Sequence, residues 1–355
     1  VAKILLDQKH VEWAVYGGAV LGGGGGGWIE DGLQIGRLAL EVGQPQLYTV
    51  DELADDDLLA AVSLVGAPGA KNRFVKPIYY AKALELLCKQ LPKPVQGITT
   101  NENGAGTTVN GWFQAAVSGL PVVDCPCNGR AHPTGLMGSL NLSDQADYVS
   151  YQAAIGGKDD NYIELCISGS LDKAAAMVRR ASVEAGGLVA VARNPVSVAY
   201  AKQNGAPGAV QQAMAVGQAL LGHQGEAAIE AVVSQLGGKV IVTGSITSFS
   251  METTGGFDVG KVVIEDSYEL TFWNEYMTVE KQGERLATFP DLIMTLDAQT
   301  ARPIVSAGIR QGQKVAVITV PQEKLLLSTT MRNKKLLAPI ETIIGKPVLP
   351  FACSE

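Results

Sequence analysis

Between Leu120 and Pro133 the chain reads L-P-V-V-D-C-P-C-N-G-R-A-H-P, the densest group of reactive side chains in the sequence. Cys125 and Cys127, two of five cysteines, stand here with Asp124, Arg130 and His132, one of three histidines. Thiolate, imidazole and carboxylate are the side chains that bind zinc or attack an electrophilic carbon. Extended backbone sends residues i and i+2 to one side, so both sulfurs can meet one ion or one substrate. A disulfide across a single residue would be strained, and Pro126 stiffens the loop rather than helping it close. His132, beyond the Asn128-Gly129 turn, can return to the same point. Cys125, Cys127 and His132 then form a zinc set with an open fourth position, the arrangement of a catalytic rather than a structural site. The other reading stays open: two half-buried thiols and a hydrogen-bonded histidine, since C-x-C...H is not a zinc-finger spacing.

Two carboxylates accompany the loop. Asp124 stands at the end of one expected strand and Glu102, in N-E-N, follows another, so the two loops are expected to be neighbours. Either carboxylate can be a metal ligand, a general base or the orienter of His132. Equally, Asp124 can cap its turn and Glu102 can be solvated. Arg130 can fork onto a substrate carboxylate or brace its own loop through carbonyl groups. Further upstream, six consecutive glycines, Gly22 to Gly27, can offer backbone N–H groups to an anion. Gly24, Gly25, Gly26 and Gly27 are the candidate substrate cradle, a flexible turn being the alternative. The Lys-Ser/Thr of a P-loop is missing and no acidic ribose-binding residue follows on a convincing strand, which argues against a nucleotide.

The elements that must position these groups follow an α/β alternation. Asp7 to Leu21 reads as a helix broken at Gly17 and Gly18, and Asp31 to Val42 as a helix stopped by Gly43. Leu47 to Val50, Ala61 to Val65, Val95 to Thr100 and Pro121 to Asp124 read as strands, Phe74 to Gln90 and Asn103 to Ser118 as helices. The Asp124 loop thereby falls at a strand's carboxyl end, where open α/β sheets build their sites. Tyr162 to Ser168 and Leu188 to Arg193 read as further strands around a helix at Leu171 to Ala185; helices at Ala209 to Leu221 and Glu226 to Leu236 follow. Beyond Lys239 the character turns β-rich, with runs at Lys239 to Phe249, Val259 to Ile264, Tyr268 to Val279, Leu286 to Leu296 and Lys314 to Val320. The expectation is an α/β protein of two domains. Residues 1–165 carry the Gly-rich and Cys/His loops; residues 166–355 begin as α/β and contain a β-rich, barrel-like module at about 239–325.

Composition narrows the function class. A chain of 355 residues exceeds what one core usually organises. With 28 basic against 35 acidic residues and no basic block, the net charge of -7 argues against nucleic-acid or anionic-membrane partners and for a small-molecule enzyme. The cysteines, at 88, 125, 127, 166 and 353, form no disulfide framework, and no charged segment leads into an apolar one at the start, so the expected compartment is a reducing cytoplasm. A homo-oligomer is expected. Cys88 and Cys166 read as core thiols, Cys353 as part of a tail, and His10 and His223 as surface groups.

A-V-L-G-G-G-G-G-G, D-E-L-A-D-D-D-L followed by V-G-A-P-G, L-P-V-V-D followed by G-R-A-H-P, then W-N-E-Y, F-P-D-L-I-M-T-L-D and G-Q-K-V-A-V-I occur in this order from Gly17 to Val320. In these motifs the chain resembles the S-methyl-thiohydantoin desulfurase family, associated with hydantoinases. The resemblance implies a two-domain protein with an α/β N-terminal part and β structure in its C-terminal part. For activity it implies replacement of the exocyclic sulfur of a thiohydantoin by oxygen. Cys125, Pro126, Cys127 and His132 stand where members more often carry a second Asp and an aromatic residue, which favours a sulfur-specialised member.

Two mechanisms are open on this reading. A zinc on Cys125, Cys127 and His132 can lower the pKa of its water towards roughly 7 and accept the thiophilic leaving group. Alternatively Cys127 or Cys125, deprotonated by His132, attacks the ring carbon, and Glu102 or Asp124 activates water to clear the intermediate. The glycine amides and Arg130 hold ring oxygens or a side-chain carboxylate in both. Cys127→Ser is expected to abolish turnover in either case. Ring-opening hydrolysis of the hydantoin, and a non-catalytic hydantoinase partner with a structural zinc knot, are the alternatives.

Overall fold

The structure is a computed structural model and describes residues 3–67 and 70–352. Pro68 and Gly69 of the V-G-A-P-G motif, and Cys353, lie outside the described residues. The first sheet contains β1 (Lys3–Leu5), β2 (Gln46–Thr49), β3 (Leu58–Gly66), β4 (Val95–Thr100), β5 (Val122–Asp124), β6 (Ser150–Gly156), β7 (Ile163–Gly169) and β8 (Leu188–Ser197). Their spatial order is β1-β2-β5-β4-β3-β8-β6-β7, and β2, β5, β4 and β3 run parallel. Of these, β3 (L-L-A-A-V-S-L-V-G) reads as an apolar run and is buried along most of its length, as a strand shielded on both faces is.

The helices are α1 (Gln8–Leu21), α2 (Ile29–Val42), α3 (Pro77–Cys88), α4 (Trp112–Ser118), α5 (Leu171–Glu184), α6 (Val198–Asn204), α7 (Ala209–Leu221), α8 (Gly225–Leu236), α9 (Lys334–Ile344) and α10 (Leu349–Ala352). α1 and α7 join the two halves of the molecule. Val11, Ala14 and Val15 of α1, with Val210 and Met214 of α7, enter the core of the first sheet; Val20, Leu21, Val216 and Leu220 enter that of the second. Instead of breaking α1, Gly17 lets it touch α7. A Cβ there would stand 1.7 Å from the Ala213 carbonyl oxygen, and one on Gly217 would stand 1.9 Å from that of Trp13. The helix runs on because the glycines serve helix contact rather than a turn.

The second sheet comprises β9 (Lys239–Thr254), β10 (Phe257–Ile264), β11 (Tyr268–Trp273), β12 (Glu275–Lys281), β13 (Glu284–Thr288), β14 (Leu292–Asp297), β15 (Pro303–Ile304) and β16 (Lys314–Val320), in the order β13-β12-β11-β10-β9-β16-β14-β15. The sixteen-residue β9 pairs with β16 along its first half and with β10 along its second. Both halves of the sheet then fold over one core that includes Phe272, Tyr276, Ile293 and Val317. The fold is thus two-domain α/β, with ten helices and two eight-stranded sheets among the described residues.

Several expected elements are redrawn. Residue 165 falls inside β7, and β8 inserts between β3 and β6, so the first sheet draws strands from both sides of the expected 165/166 division. Residues 103–111 are turns, and only Trp112–Ser118 is helical. Gly104 must lie against Gly26, a contact that a regular helix with side chains would not make. The run at 268–279 is two strands, separated at Asn274 with φ +57°, and the run at 286–296 is likewise divided between β13 and β14. No helix among the described residues is long and apolar enough to cross a membrane.

Candidate active site

β4 and β5 lie side by side and parallel, so the loops leaving their carboxyl ends meet. The Cys127 N–H donates to the Thr100 carbonyl at 3.0 Å and the Asn128 N–H to that of Asn101 at 3.1 Å. One turn further, the His132 N–H donates to Oε2 of Glu102 at 3.1 Å. From the second domain, the turn between β11 and β12 carries Asn274 and Glu275. It is fixed in place by the Tyr276 N–H donating to the Gly23 carbonyl at 2.7 Å and by Asn274 exchanging hydrogen bonds with the Asp258 backbone. Between the two domains opens a cleft of about 720 Å³, counted to where it meets solvent, lined among others by Trp28, Glu102, His132, Arg179, Arg193 and Glu275.

Burial governs the electrostatics. Desolvation pushes the Glu102 carboxyl up to about 7, against the pull of the His132 N–H and of Arg193. Glu275, 2% exposed, is held well above the usual carboxylate range, first by burial and then by the charge of Glu102. Two such carboxyls do not ionise together readily. Burial, reinforced by Arg193, pushes His132 down to about 3, so the ring is neutral at neutral pH. The 3.2 Å approach of His132 Nε2 to Glu102 Oε2 is therefore a contact between a neutral ring and a carboxyl rather than an ion pair. Asn101 sits between two of these groups: its Oδ1 accepts from Arg193 at 2.6 Å, and its amide Nδ2 lies 3.2 Å from Nε2 of His132.

With this geometry in view, the comparisons with known proteins decide the family. The model of the S-Me-THD-like N-terminal domain matches residues 9–165, and that of the S-Me-THD-like C-terminal domain matches residues 170–339. The chain belongs to the S-Me-THD-like family. The resemblance to S-methyl-thiohydantoin desulfurases is borne out by this membership, which fits a thiohydantoin-related function. A protein from Chromobacterium violaceum, solved by X-ray crystallography, shares the fold: TM-score 0.72 at 21% identity, over 96% of this chain and 97% of that one. No curated protein matches.

In this S-Me-THD-like chain the residues singled out by type do not all reach the cleft. Cys125 donates its thiol to the Ala201 carbonyl at 3.4 Å and packs with Cys127 among Val50, Leu59 and Val198. Burial raises the Cys125 thiol well above its ordinary value and pushes that of Cys127 up to about 12, opposing thiolate formation at either. Neither cysteine lines the cleft. Among the described residues, no group of three or more His, Cys, Asp or Glu is placed to hold a metal ion, so Cys125, Cys127 and His132 do not fit the expected zinc set. The reason is the turn after β5: it sends the thiols back under β3 and α6, while the imidazole goes forward to Glu102.

Asp124 also faces away from the cleft. Its carboxylate accepts from the N–H groups of Val210 at 2.7 Å and Gln211 at 3.2 Å, satisfying the open amino end of α7. Arg130 donates to the carbonyls of Pro290, at 3.1 Å, and Asp291, and lies over the Phe289 ring at 4.6 Å. It braces one domain against the other rather than its own loop. Of the glycines, Gly26 and Gly27 line the cleft. Gly24 and Gly25 serve as space: a Cβ on Gly24 would meet the Tyr276 ring at 2.9 Å, and one on Gly25 would meet Glu275 Oε1 at 1.8 Å.

Glu275, Arg193, Arg179 and Asn101 join the cleft without standing out by residue type or spacing. A charged Arg193 inside the apolar run L-V-A-V-A-R, and the Asn-Glu step inside W-N-E-Y, were the available signals. Asparagine is among the few residues that readily adopt the left-handed turn needed there.

Proposed function

We propose that this chain hydrolytically desulfurises a thiohydantoin, in its 2-thioxo or S-methyl form, to the hydantoin, releasing sulfide or methanethiol. The observation that carries this reading is the buried pair of glutamates, one from each domain, facing one cleft in an S-Me-THD-like chain. Pairs of carboxyls whose surroundings push their pKa values apart divide into acid and base. Glu102, whose Oε2 accepts from the His132 N–H, is the base; Glu275, whose Oε2 has no hydrogen-bond partner and whose carboxyl is raised by burial and by the charge of Glu102, is the acid.

The ring carbon between the two nitrogens bears the sulfur and is electrophilic. Glu102 takes a proton from water as the oxygen bonds to that carbon, and Glu275 gives its proton to sulfur as the C–S bond breaks. In the thione form both protons of the consumed water end on sulfur. In the S-methyl form one ends on sulfur and one on the ring nitrogen. Proton transfer from Glu102 to Glu275 resets the pair. The His132 N–H and the Asn101 amide keep the Glu102 carboxyl aimed during the exchange.

Incubation with a thiohydantoin, trapping of released thiol and mass analysis of the ring product test the proposal. Thiol release with an intact hydantoin ring supports it. An acyclic carbamoyl product indicates ring opening instead, and absence of turnover together with a stable hydantoinase complex indicates a binding partner.

A further inference from the structure

Among the described residues, β1, β7, β13 and β15 are the edge strands of the two sheets, and three of them are guarded against further pairing. β1 has three residues, one of them Lys3, which Glu52 holds at 3.4 Å. β15 has two residues and begins with Pro303, which has no N–H to offer. β13 is covered by the segment leading into α10: Arg285 donates to the Pro347 carbonyl at 2.9 Å and lies over the Phe351 ring at 4.5 Å. β7 is the exception. It pairs with β6 along all seven residues without a bulge and contains neither proline nor lysine. A regular, open edge of this kind is a template for another strand.

The residues of β7 fit a second copy of themselves. Ile163, Leu165 and Ile167 pack, only partly buried, against the cluster that holds Val178 of α5, while Glu164, Cys166 and Ser168 are exposed. Glu164, the one charged side chain of the strand, is matched within its own chain by Lys82 at 2.6 Å and by the Tyr162 hydroxyl at 2.9 Å. Residues opposed across antiparallel strands point to the same face, so a two-fold axis normal to the sheet opposes odd numbers to odd and even to even. Of these registers, the one centred on Cys166 pairs β7 over its full length. It sets Leu165 opposite Ile167 of the second copy and Glu164 opposite Ser168. A register centred on Glu164 would instead oppose two carboxylates. Tyr162, just before β7, and Met177, on the helix packed against it, remain 42% and 48% exposed and supply apolar surface beside the edge.

We infer that two copies of this chain associate by antiparallel pairing of β7 with β7, centred on Cys166, which joins their first sheets into one continuous sheet. β7 contributes nothing to the cleft lining, so this surface stands apart from the desulfurisation reading.

Light scattering over a range of protein concentrations tests it, with Cys166→Lys, Cys166→Glu and their equimolar mixture beside the unaltered protein. The unaltered protein is expected to have the mass of two chains. In each variant alone like charges meet across the axis and raise the dimer dissociation constant ~5-fold or more; in the mixture the charges attract and the dimer returns. Cys166 is exposed, so the fold is expected to tolerate both replacements, which a thermal melt checks. A short bismaleimide, which alkylates one thiol at each end, is expected to link Cys166 to Cys166 in the unaltered protein, read by mass analysis of the joined peptides. Should a charged variant unfold, that link decides alone. A single chain at every concentration, a dimer that both charged variants leave intact, or links that bypass Cys166 overturn the proposal.

Discussion

The backbone N–H of His132 donates to Oε2 of Glu102 at 3.1 Å, tying the loop after β5 to the carboxyl at the end of β4. This bond holds a buried carboxyl that titrates near neutrality at the edge of the cleft. It also makes His132 a positioning residue, through its backbone, while its ring remains neutral.

Glu102→Gln and Glu275→Gln are expected to lower kcat by about 10²–10⁴-fold each, the range for loss of a general acid or base. For the unaltered protein, kcat/KM is expected to rise through about pH 7 as Glu102 loses its proton. A pH profile of kcat/KM checks this; an activity that is flat from pH 5 to 9 speaks against Glu102 as the base.

The same carboxyl makes stability fall as pH rises. Below about 4.5, its ordinary value, the group is protonated in both states and costs nothing. Between there and about 7 the unfolded chain has released the proton while the folded chain keeps it, so the folded state loses ground; above about 7 the loss is complete. Glu102→Gln removes this dependence and is expected to stabilise the protein above pH 7 by on the order of 1–3 kcal/mol relative to pH 4.5. Denaturant titrations of both proteins at the two pH values measure it.

Cys125→Ala and Cys127→Ala are expected to retain kcat within a few-fold. This departs from the expectation, drawn from residue types alone, that Cys127→Ser abolishes turnover. Both thiols are packed away from the cleft, and losing a small buried group costs about 1 kcal/mol of stability. Loss of activity in a folded Cys127→Ala protein would restore the thiol to the chemistry.

Gly25 has no positive φ, unlike Gly24 and Gly26, so an alanine fits its backbone. The new Cβ would nevertheless fall 1.8 Å from Glu275 Oε1. Gly25→Ala is therefore expected to displace that carboxyl and lower kcat at least ~10-fold, as misplacement of a catalytic group does. Steady-state kinetics with a thermal melt separates this effect from unfolding.

Asp124→Asn tests the role given to the other loop carboxylate. It removes a charge from the amino end of α7 and is expected to cost about 1 kcal/mol with kcat preserved. Equal stability with a large loss of kcat would return Asp124 to the site.

The parallel strands were legible because β4 and β5 are short segments with β-branched residues and turn residues after them. That alone made neighbours of the loops holding Glu102 and His132. Glu275 was hidden by a local ambiguity: 268–279 alternates like one strand, and only the left-handed Asn274 divides it. Arg193 was hidden within a run whose periodicity marks core. The cysteines were visible by type, but their direction is set by Ala201 and the β3 face, partners that lie far away in sequence. By type the glycine run suits a ligand cradle or a flexible turn. Its middle instead makes room for Glu275 and Tyr276, a requirement that arises only when the second domain is in place.

The most direct measurement is thiol release in a single turnover of a thiohydantoin by the unaltered protein, Glu102→Gln, Glu275→Gln and Cys127→Ala. Release by the unaltered and Cys127→Ala proteins, with at least ~100-fold slower release by both glutamine variants, is the predicted result. Undiminished release by folded Glu102→Gln and Glu275→Gln proteins would contradict a paired-glutamate desulfurase.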